Sequence, residues 1–345
     1  MKLAMAMSYN GNPRDAAQEA QDLEAAGVDL IWVPELYGFD AISALGFLAA
    51  KTSTMQLMSG ILPIYSRTPT LTAMTAAGLD ALSEGRFNLG LGVSGPQVIE
   101  GWHGVKFDAP IGRTREIMDI CRQVWRREKV TIDGKYYTLP LPEDQGTGLG
   151  KPLKMINHMV RPDIPIYLAS LGPKNVELTA EAATGWLPIF FHPDKAMDIW
   201  GESIEKGMAK RDASLGPLEM IAGGTLSICD EDTAQRLRDQ QRGLTALYVG
   251  GMGAKGKNFY NDIFCRYGYE EQATKIQELY LSGHREEAEA LVPDDFLAAT
   301  QLVGDEGFVR DRIESYRAAG VTWLQVHPVG ENRVEMLDKV KGWAA

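Results

Sequence analysis

The sequence predicts an α/β protein of the (β/α)8 or TIM-barrel class. Strand-like and helix-like segments alternate along the chain, which is typical of a parallel sheet covered by helices. Eight strand-like segments are present, whereas open doubly wound sheets usually contain about five or six. A chain of 345 residues also fits one barrel with insertions. We therefore expect a single domain over residues 1–345.

The strand-like segments are short apolar runs, and the segments between them carry apolar residues at helical spacing. The first helix is predicted to end at Gly27, because glycine commonly follows the last turn of a helix. The predicted strands, in chain order, are 3–8, 29–35, 55–63, 86–94, 164–170, 185–191, 220–228 and 321–328. The predicted helices are 13–26, 42–52, 70–82, 113–127, 174–183, 194–210 and 333–343.

Two segments do not fit the regular repeat, since both exceed the short connections of a plain βα unit. Residues 128–163 are rich in Pro and Gly, and residues 231–305 are charged and mostly helical. Insertions of this kind in a barrel build a pocket wall or a subunit contact.

Composition and charge exclude several classes of protein. The net charge of -11 would repel nucleic acid and anionic lipid. No apolar stretch is long enough to span a membrane, and the first residues lack the apolar region of a signal peptide. The three cysteines, Cys121, Cys229 and Cys265, show no zinc spacing, and we expect no metal site. These features predict a cytoplasmic protein with reduced cysteines.

Barrel enzymes carry their sites at the C-terminal ends of the strands, so residues after each strand are the candidates. The segments 90–104 and 169–175 leave their strands through small residues, whose N–H groups can approach an anion closely. Two such loops at one rim are suited to a phosphorylated coenzyme, although glycines also form ordinary βα turns. The chain has no GxGxxG after its first strand and no P-loop, so neither nucleotide motif is supported.

Glu35 follows the second strand and has two possible roles. At a pocket floor, burial would suit it to proton transfer, whereas in an exposed turn it would pair with a nearby Lys or Arg. We favour the first role because of its position.

Aromatic and histidine side chains also lie in or beside the strand ends. Residues that could line a flat aromatic ligand site are Tyr9, Tyr37, Tyr65, Trp32, Trp102 and Trp186. Barrel packing explains Trp32 and Trp186 equally well. His192 follows the sixth strand, where lining a pocket and a structural role are equally expected.

Six segments taken together resemble the luciferase-like monooxygenase superfamily, and in particular its F420-dependent oxidoreductase branch of actinobacterial type. The resemblance runs along nearly the whole chain. The segments are WVPELYGFDA at 32–41, SGILPIYSRTP at 59–69, RFNLGLGVSGPQVIEGWHG at 86–104, PIGRTRE at 110–116, IPIYLASLGPKNVELTAEAATGWLPIFF at 164–191, and GFVRDRIESYRAAGVTWLQV at 307–326.

The resemblance implies a bacterial luciferase-like barrel that binds the deazaflavin coenzyme F420, with its ring across the barrel mouth. It implies that two loops bind the coenzyme phosphate, one formed by Ser94, Gly95, Pro96 and Gln97, and the other by Ala169, Ser170, Leu171, Gly172 and Pro173. It also implies a non-proline cis peptide at the end of the third strand, between Gly60 and Ile61, which supports the ring from behind. The resemblance further implies dimers or higher oligomers that form through helices near strands two and three.

The sequence departs from the branch at the end of strand two. F420-dependent sugar-phosphate and alcohol dehydrogenases of the superfamily carry an Asp-His pair there, and this chain has Pro34 and Glu35. The histidine base is therefore absent, and Glu35 is the nearest carboxylate substitute. This change favours reduction of an activated double bond, imine or ketone over oxidation of a hexose phosphate or simple alcohol.

The resulting hypothesis is hydride transfer between F420 and a small organic molecule. Glu35 handles the proton, and Tyr9, Tyr37, Tyr65, Arg67 and His192 shape the substrate pocket. One alternative is an FMN-dependent monooxygenase, since FMN and F420 enzymes share this scaffold. Another is a coenzyme-binding protein without catalytic activity.

Overall fold

A computed structural model describes residues 1–7, 11–253, 256 and 258–345. Its strands are β1 (Lys2–Ala6), β2 (Leu30–Val33), β3 (Gln56–Ser59), β4 (Leu62–Pro63), β5 (Phe87–Gly92), β6 (Ile132–Asp133), β7 (Thr138–Leu139), β8 (Ile166–Ala169), β9 (Gly185–Trp186), β10 (Glu219–Ile228), β11 (Leu302–Gly304) and β12 (Trp323–Pro328).

The α-helices lie between and after these strands. They are α1 (Pro13–Ala25), α2 (Ala41–Ala49), α3 (Pro69–Leu82), α4 (Pro96–Gly101), α5 (Pro110–Trp125), α6 (Pro173–Ala182), α7 (Ala196–Met208), α8 (Glu231–Asp239), α9 (Arg242–Ala246), α10 (Phe259–Arg266), α11 (Glu270–Leu281), α12 (Arg285–Ala290), α13 (Asp294–Thr300), α14 (Glu306–Ala318) and α15 (Arg333–Ala344). A π-helical turn, Leu247–Gly251, follows α9.

Eight parallel strands close into a barrel, which confirms the predicted fold class. The hydrogen-bonded order is β12, β1, β2, β3, β5, β8, β9 and β10, and β10 pairs again with β12. The short strand β9 completes the closure, since Gly185 pairs with Tyr167 of β8 and with Glu219 of β10. All eight predicted strand positions are therefore occupied by barrel strands.

Helix starts follow from local sequence signals. The side chain of Asn12 accepts a hydrogen bond from the backbone at the start of α1, and that of Thr68 does so at the start of α3. Proline occupies the first position of both helices, at Pro13 and Pro69, where its missing N–H costs nothing. These caps fix where each helix leaves its preceding loop.

Side chains fill the interior of the barrel, so the barrel is a packed core. The interior cluster contains Ala4, Leu30, Trp32, Met58, Tyr167, Ile221 and Trp323. Near the N-terminal ends of β10 and β12, the Glu219 carboxylate accepts hydrogen bonds from the Trp323 indole, at 2.7 Å, and from the Tyr167 hydroxyl. An open space for ligands can therefore begin only above this layer, toward the C-terminal ends of the strands.

The sixth strand is shorter than predicted. The sequence predicts a strand over 185–191, but β9 ends at Trp186. Pro188 has no N–H to donate to a neighbouring strand, and Phe190 adopts a left-handed backbone conformation with φ of 56°. The chain therefore leaves the sheet early and places its aromatic residues in the connecting loop.

The two predicted insertions lie outside the eight barrel strands. Residues 128–163 contain the antiparallel pair β6–β7, and the Glu116 carboxylate of α5 binds the backbone N–H groups of residues 135–137 there. Residues 231–305 contain helices α8 to α13 and end in β11, which extends the sheet beside β10. The sequence did not predict β11, because its three residues carry too short an apolar pattern.

Within the described ranges, no helix is long and apolar enough to cross a membrane.

An ion pair joins the first insertion, residues 128–163, to helix α3, and its contribution to stability can be measured. Asp80 of α3 is fully buried, and Arg161 binds it with an Nε–Oδ1 distance of 3.0 Å. Arg161→Ala leaves a buried carboxylate unpaired, so we expect a loss of about 3 kcal/mol in the free energy of unfolding, measured by urea denaturation. The control Arg115→Ala breaks a surface pair with Glu181 and should cost below about 1 kcal/mol. Equal losses would contradict this account.

Candidate active site

The end of β3 has a backbone arrangement that only glycine permits. A cis peptide joins Gly60 and Ile61, as the resemblance to the family had implied, and β4 continues after it. A Cβ on residue 60 would lie 2.0 Å from Cδ1 of Trp32, and a Cβ on Gly92 would lie 2.8 Å from Cδ1 of Ile61. The ends of β3 and β5 are thus packed closely above the filled interior.

The loop after β5 enters α4 through residues 94–97. Ser94 adopts a left-handed conformation with φ of 57°, and Gly95 is the N-cap residue before Pro96. No side chain in the described part of the protein caps this helix start. Gln97 lies in the first turn, and its side-chain oxygen is near Gly95. The predicted residues are therefore grouped at one helix N-terminus.

Two tryptophans hold the loop after β8 in place. The Trp186 indole donates to the Ser170 carbonyl at 2.9 Å, and the Trp200 indole donates to the Leu171 carbonyl at 2.8 Å. The Ser170 hydroxyl donates to the Thr179 hydroxyl at 2.8 Å, because Thr179 uses its own proton on the Asn175 carbonyl. The loop thus contributes its backbone rather than the Ser170 side chain to any ligand.

This loop leads into α6 and leaves room for an anion. Gly172 is the N-cap residue of α6 and Pro173 is its first residue, and no described side chain caps the helix. A Cβ added at Gly172 would meet no atom within 4 Å, so the space beside this N-terminus is open. Uncapped N–H groups and the helix dipole suit a phosphate there, so the residues present fit a phosphorylated coenzyme.

Glu35 is buried, as expected for a pocket floor, and it is also paired with an arginine, as expected for the alternative role. Its side chain is 8% exposed. Arg67 binds both carboxylate oxygens, with Nη1–Oε1 at 2.5 Å and Nη2–Oε2 at 2.8 Å, and the N–H of Ala41 donates to Oε2 at 3.1 Å. A bidentate pair of this kind fixes both side chains. The pKa of Arg67 is raised, chiefly by its hydrogen bonds with Glu35.

The predicted pocket tyrosines differ in their surroundings. Tyr65 is partly buried and donates its hydroxyl proton to the Asp108 carbonyl at 2.8 Å, and burial raises its pKa to about 12. Tyr37 is exposed, and its ring centroid lies 6.3 Å from that of Trp102. Tyr9 lies outside the described residues. Tyr37 is therefore the better placed of the two described tyrosines to contact a ligand.

Trp32 and Trp186 belong to the packed core, since both are buried. Trp32 fills the barrel interior, and Trp186 packs at right angles to Trp200 with ring centroids 5.2 Å apart. Of the three tryptophans considered, Trp102 alone is exposed. The packing explanation therefore holds for Trp32 and Trp186.

His192 is buried where the second insertion meets the end of strand six. The Tyr267 hydroxyl accepts a hydrogen bond from the backbone N–H of His192 at 3.1 Å and donates one to the backbone carbonyl of Phe190 at 2.8 Å. The Nδ1 atom of His192 has no hydrogen-bond partner among the described residues. Burial lowers its pKa below the usual value, which keeps the ring neutral near pH 7.

Sequence reasoning missed the contributions of the second insertion. Tyr267 fastens the strand-six loop, and Tyr248 packs its ring against Phe190 with centroids 5.5 Å apart. Neither tyrosine belongs to a short motif, and both are far along the chain from the groups they contact. Since these contacts arise from the tertiary fold alone, the local pattern carried no signal for them.

Comparison with known families decides the identity of the fold. The sequence profile of the family described as "Luciferase-like monooxygenase" matches residues 1–322. The chain belongs to the luciferase-like monooxygenase family. A protein of Mycobacterium tuberculosis described as a putative coenzyme F420-dependent oxidoreductase is 42% identical over 331 residues, which cover 94% of each chain.

Two further similar proteins are more distant from this chain. The 5,10-methylenetetrahydromethanopterin reductase of Archaeoglobus fulgidus is 28% identical, over 92% of this chain and 90% of that one. The solved structure of the coenzyme F420-dependent tetrahydromethanopterin reductase of Methanopyrus kandleri superposes with a TM-score of 0.79 at 24% identity, over 99% of this chain and 97% of that one. This structural likeness supports the fold.

The lowered pKa of His192 predicts a pH-dependent stability. The unfolded chain takes up a proton at about pH 6.5, whereas the buried ring resists protonation, so stability is full above that pH and falls as the pH is lowered. When the pH is lowered from about 7 to about 5, the free energy of unfolding should fall less in the His192→Gln variant than in the unaltered protein. The nearby charged groups Asp194, Lys195 and Arg312 remain in the variant. His284→Gln, at an exposed site, is the control, and identical slopes for all three proteins would refute the assignment.

Proposed function

We propose that the protein is a coenzyme F420-dependent oxidoreductase that reduces a small organic molecule. The observation that carries this proposal is the 42% identity, over 94% of both chains, to the mycobacterial protein described as F420-dependent. The open N-terminus of α6 beside Gly172 supports it, because the residues there fit a coenzyme phosphate.

The proposed coenzyme-binding residues form three groups at the barrel mouth. Gly60 and Ile61 support the ring from the end of β3. The phosphate is held by the loop of Ser94, Gly95, Pro96 and Gln97 and by the loop of Ala169, Ser170, Leu171, Gly172 and Pro173. When bound, the deazaflavin supplies hydride chemistry at its C5 position, and the protein supplies orientation and a fixed electrostatic environment.

We propose that Glu35 handles the proton and that Arg67 holds it in position. Both oxygens of Glu35 are engaged, so proton transfer requires one hydrogen bond to exchange for a bond to substrate or water. Tyr37, Tyr65, Arg67 and His192 form the proposed pocket wall, together with Tyr9, which lies outside the described residues.

We also propose that the protein acts in the cytoplasm as a homodimer with one domain per chain. Its three cysteines are free, which is usual in a reducing compartment. Pairing of β1 with β12 joins the two halves of the sequence in one barrel, which supports a single domain. Exposed apolar residues on α2 and α3, among them Phe47, Leu71 and Met74, support the dimer.

The dimer can be tested by sedimentation velocity at micromolar concentration. We expect a dimer for the unaltered protein and a shift toward monomer for Met74→Glu, since a charge is costly to bury in an apolar contact. Leu149→Glu, at an exposed position of the first insertion, is the control. A monomeric unaltered protein would exclude the dimer.

The coenzyme can be tested by fluorescence titration with F420 and, separately, with FMN. We expect tight binding of F420 and weak binding of FMN, and the reverse would favour a flavin monooxygenase. Gly172→Asp should lower the F420 affinity by about tenfold or more, because a carboxylate would occupy and repel the phosphate site. The neutral variant Gly172→Ser is the matched control. Neither change strains the backbone, since φ of residue 172 is -70°.

The role of Glu35 can be tested with Glu35→Gln. If Glu35 transfers the proton, kcat should fall by about 100-fold or more, while the F420 affinity changes little. The control Asp40→Asn removes a neighbouring charge and keeps an N-cap residue on α2. An unchanged kcat for Glu35→Gln would restrict Glu35 to holding Arg67.

A further inference from the structure

Five aromatic side chains from four parts of the chain meet at the barrel mouth, and we call them the mouth aromatics. Tyr37 follows β2, Trp102 ends α4, and Phe190 follows β9. Tyr248 lies in the π-helical turn and Tyr260 in α10, both within the second insertion. Since separate loops, a helix end and the second insertion supply them, the fold rather than the local sequence brings this group to one end of the barrel.

The mouth aromatics form two groups of contacting rings, Tyr37 with Trp102 and Phe190 with Tyr248 and Tyr260. Tyr248 and Tyr260 have ring centroids 4.8 Å apart at 87°, and Phe190 packs edge-on against them at 5.5 and 5.9 Å. Burial raises the pKa of Tyr248, and the nearby Tyr37 raises it further. The π-helical turn of the second insertion therefore lies near the loop after β2.

Two of the mouth aromatics offer their surfaces to a ligand. Tyr37 and Trp102 are each 65% exposed, whereas Phe190, Tyr248 and Tyr260 are partly buried. Large aromatic side chains exposed beside a proposed coenzyme site are a binding feature, because covering them with a flat apolar molecule removes much apolar surface from water. Tyr37 and Trp102 therefore offer exposed aromatic surface at the barrel mouth.

Together with Glu35, the polar side chains of the proposed pocket wall carry little net charge. The charges of Glu35 and Arg67 cancel in a bidentate pair. The lowered pKa of His192 leaves its ring neutral at pH 7. A charged substrate would gain little electrostatic attraction from these side chains. An uncharged substrate, in contrast, gives up no strongly bound water on entering the site.

We propose that the substrate of this site is a planar, uncharged molecule with fused or aromatic rings that packs against Tyr37 and Trp102, whose rings are tilted by 52° to each other. This inference rests on the proposed function. In the reaction the substrate gains a hydride and a proton at a C=C, C=N or C=O bond, and reduced F420 loses both and becomes oxidised. The ring system supplies binding energy away from the reacting bond.

Two enones of different size test the inference. Phenalenone has three fused planar rings, and cyclohex-2-en-1-one has one ring without aromatic surface. With reduced F420 we expect kcat/KM for phenalenone to be about tenfold higher or more. Tyr37→Ala and Trp102→Ala should each lower it by about three- to tenfold through KM, and should lower the value for cyclohexenone by a smaller factor. Leu149→Ala is the control variant.

Equilibrium dialysis of phenalenone against the protein gives a readout that does not need turnover. We expect the double variant Tyr37→Ala/Trp102→Ala to raise Kd by about tenfold. Unchanged Kd in the double variant, or equal kcat/KM for the two enones, would overturn the inference. Failure of F420 to bind in the separate titration would instead refute the proposed function, so the two failures are distinguishable.

Discussion

Trp32 occupies the space that a side chain on residue 60 would need, and much of the site depends on this contact. The indole fills the upper part of the barrel interior, and the missing Cβ of Gly60 lets the backbone at the end of β3 pass directly over it. Ile61 can then lie over Gly92 of β5. The contact thus sets the floor of the mouth, and all the loops that could bind a ligand are arranged above it.

The barrel was predictable because each βα unit repeats a pattern that is visible over a few residues. All eight strands lie where apolar runs occur, and the helices after Asn12 and Thr68 begin where capping residues predict. The sixth strand was predicted too long, since an apolar run does not reveal the backbone turn at Phe190. Short elements such as β11 carry too few residues to show a period.

The site was predictable only in part, because its residues meet through the tertiary fold. The rule that barrel sites lie at strand ends selected Glu35, Gly172 and His192 from the sequence alone. The partner of Glu35, Arg67, is 32 residues away, and the partner of His192, Tyr267, is 75 residues away. Neither pairing leaves a periodic or spaced pattern, so the local environment of each residue required the structure.

The hydroxyl of Tyr267 joins the second insertion to the backbone on both sides of Phe191. Lys195 strengthens the same junction by donating to the Tyr267 carbonyl at 2.8 Å. A displacement of the second insertion would therefore carry Phe190 and His192 with it, so the insertion and the loop after β9 behave as one wall of the barrel mouth.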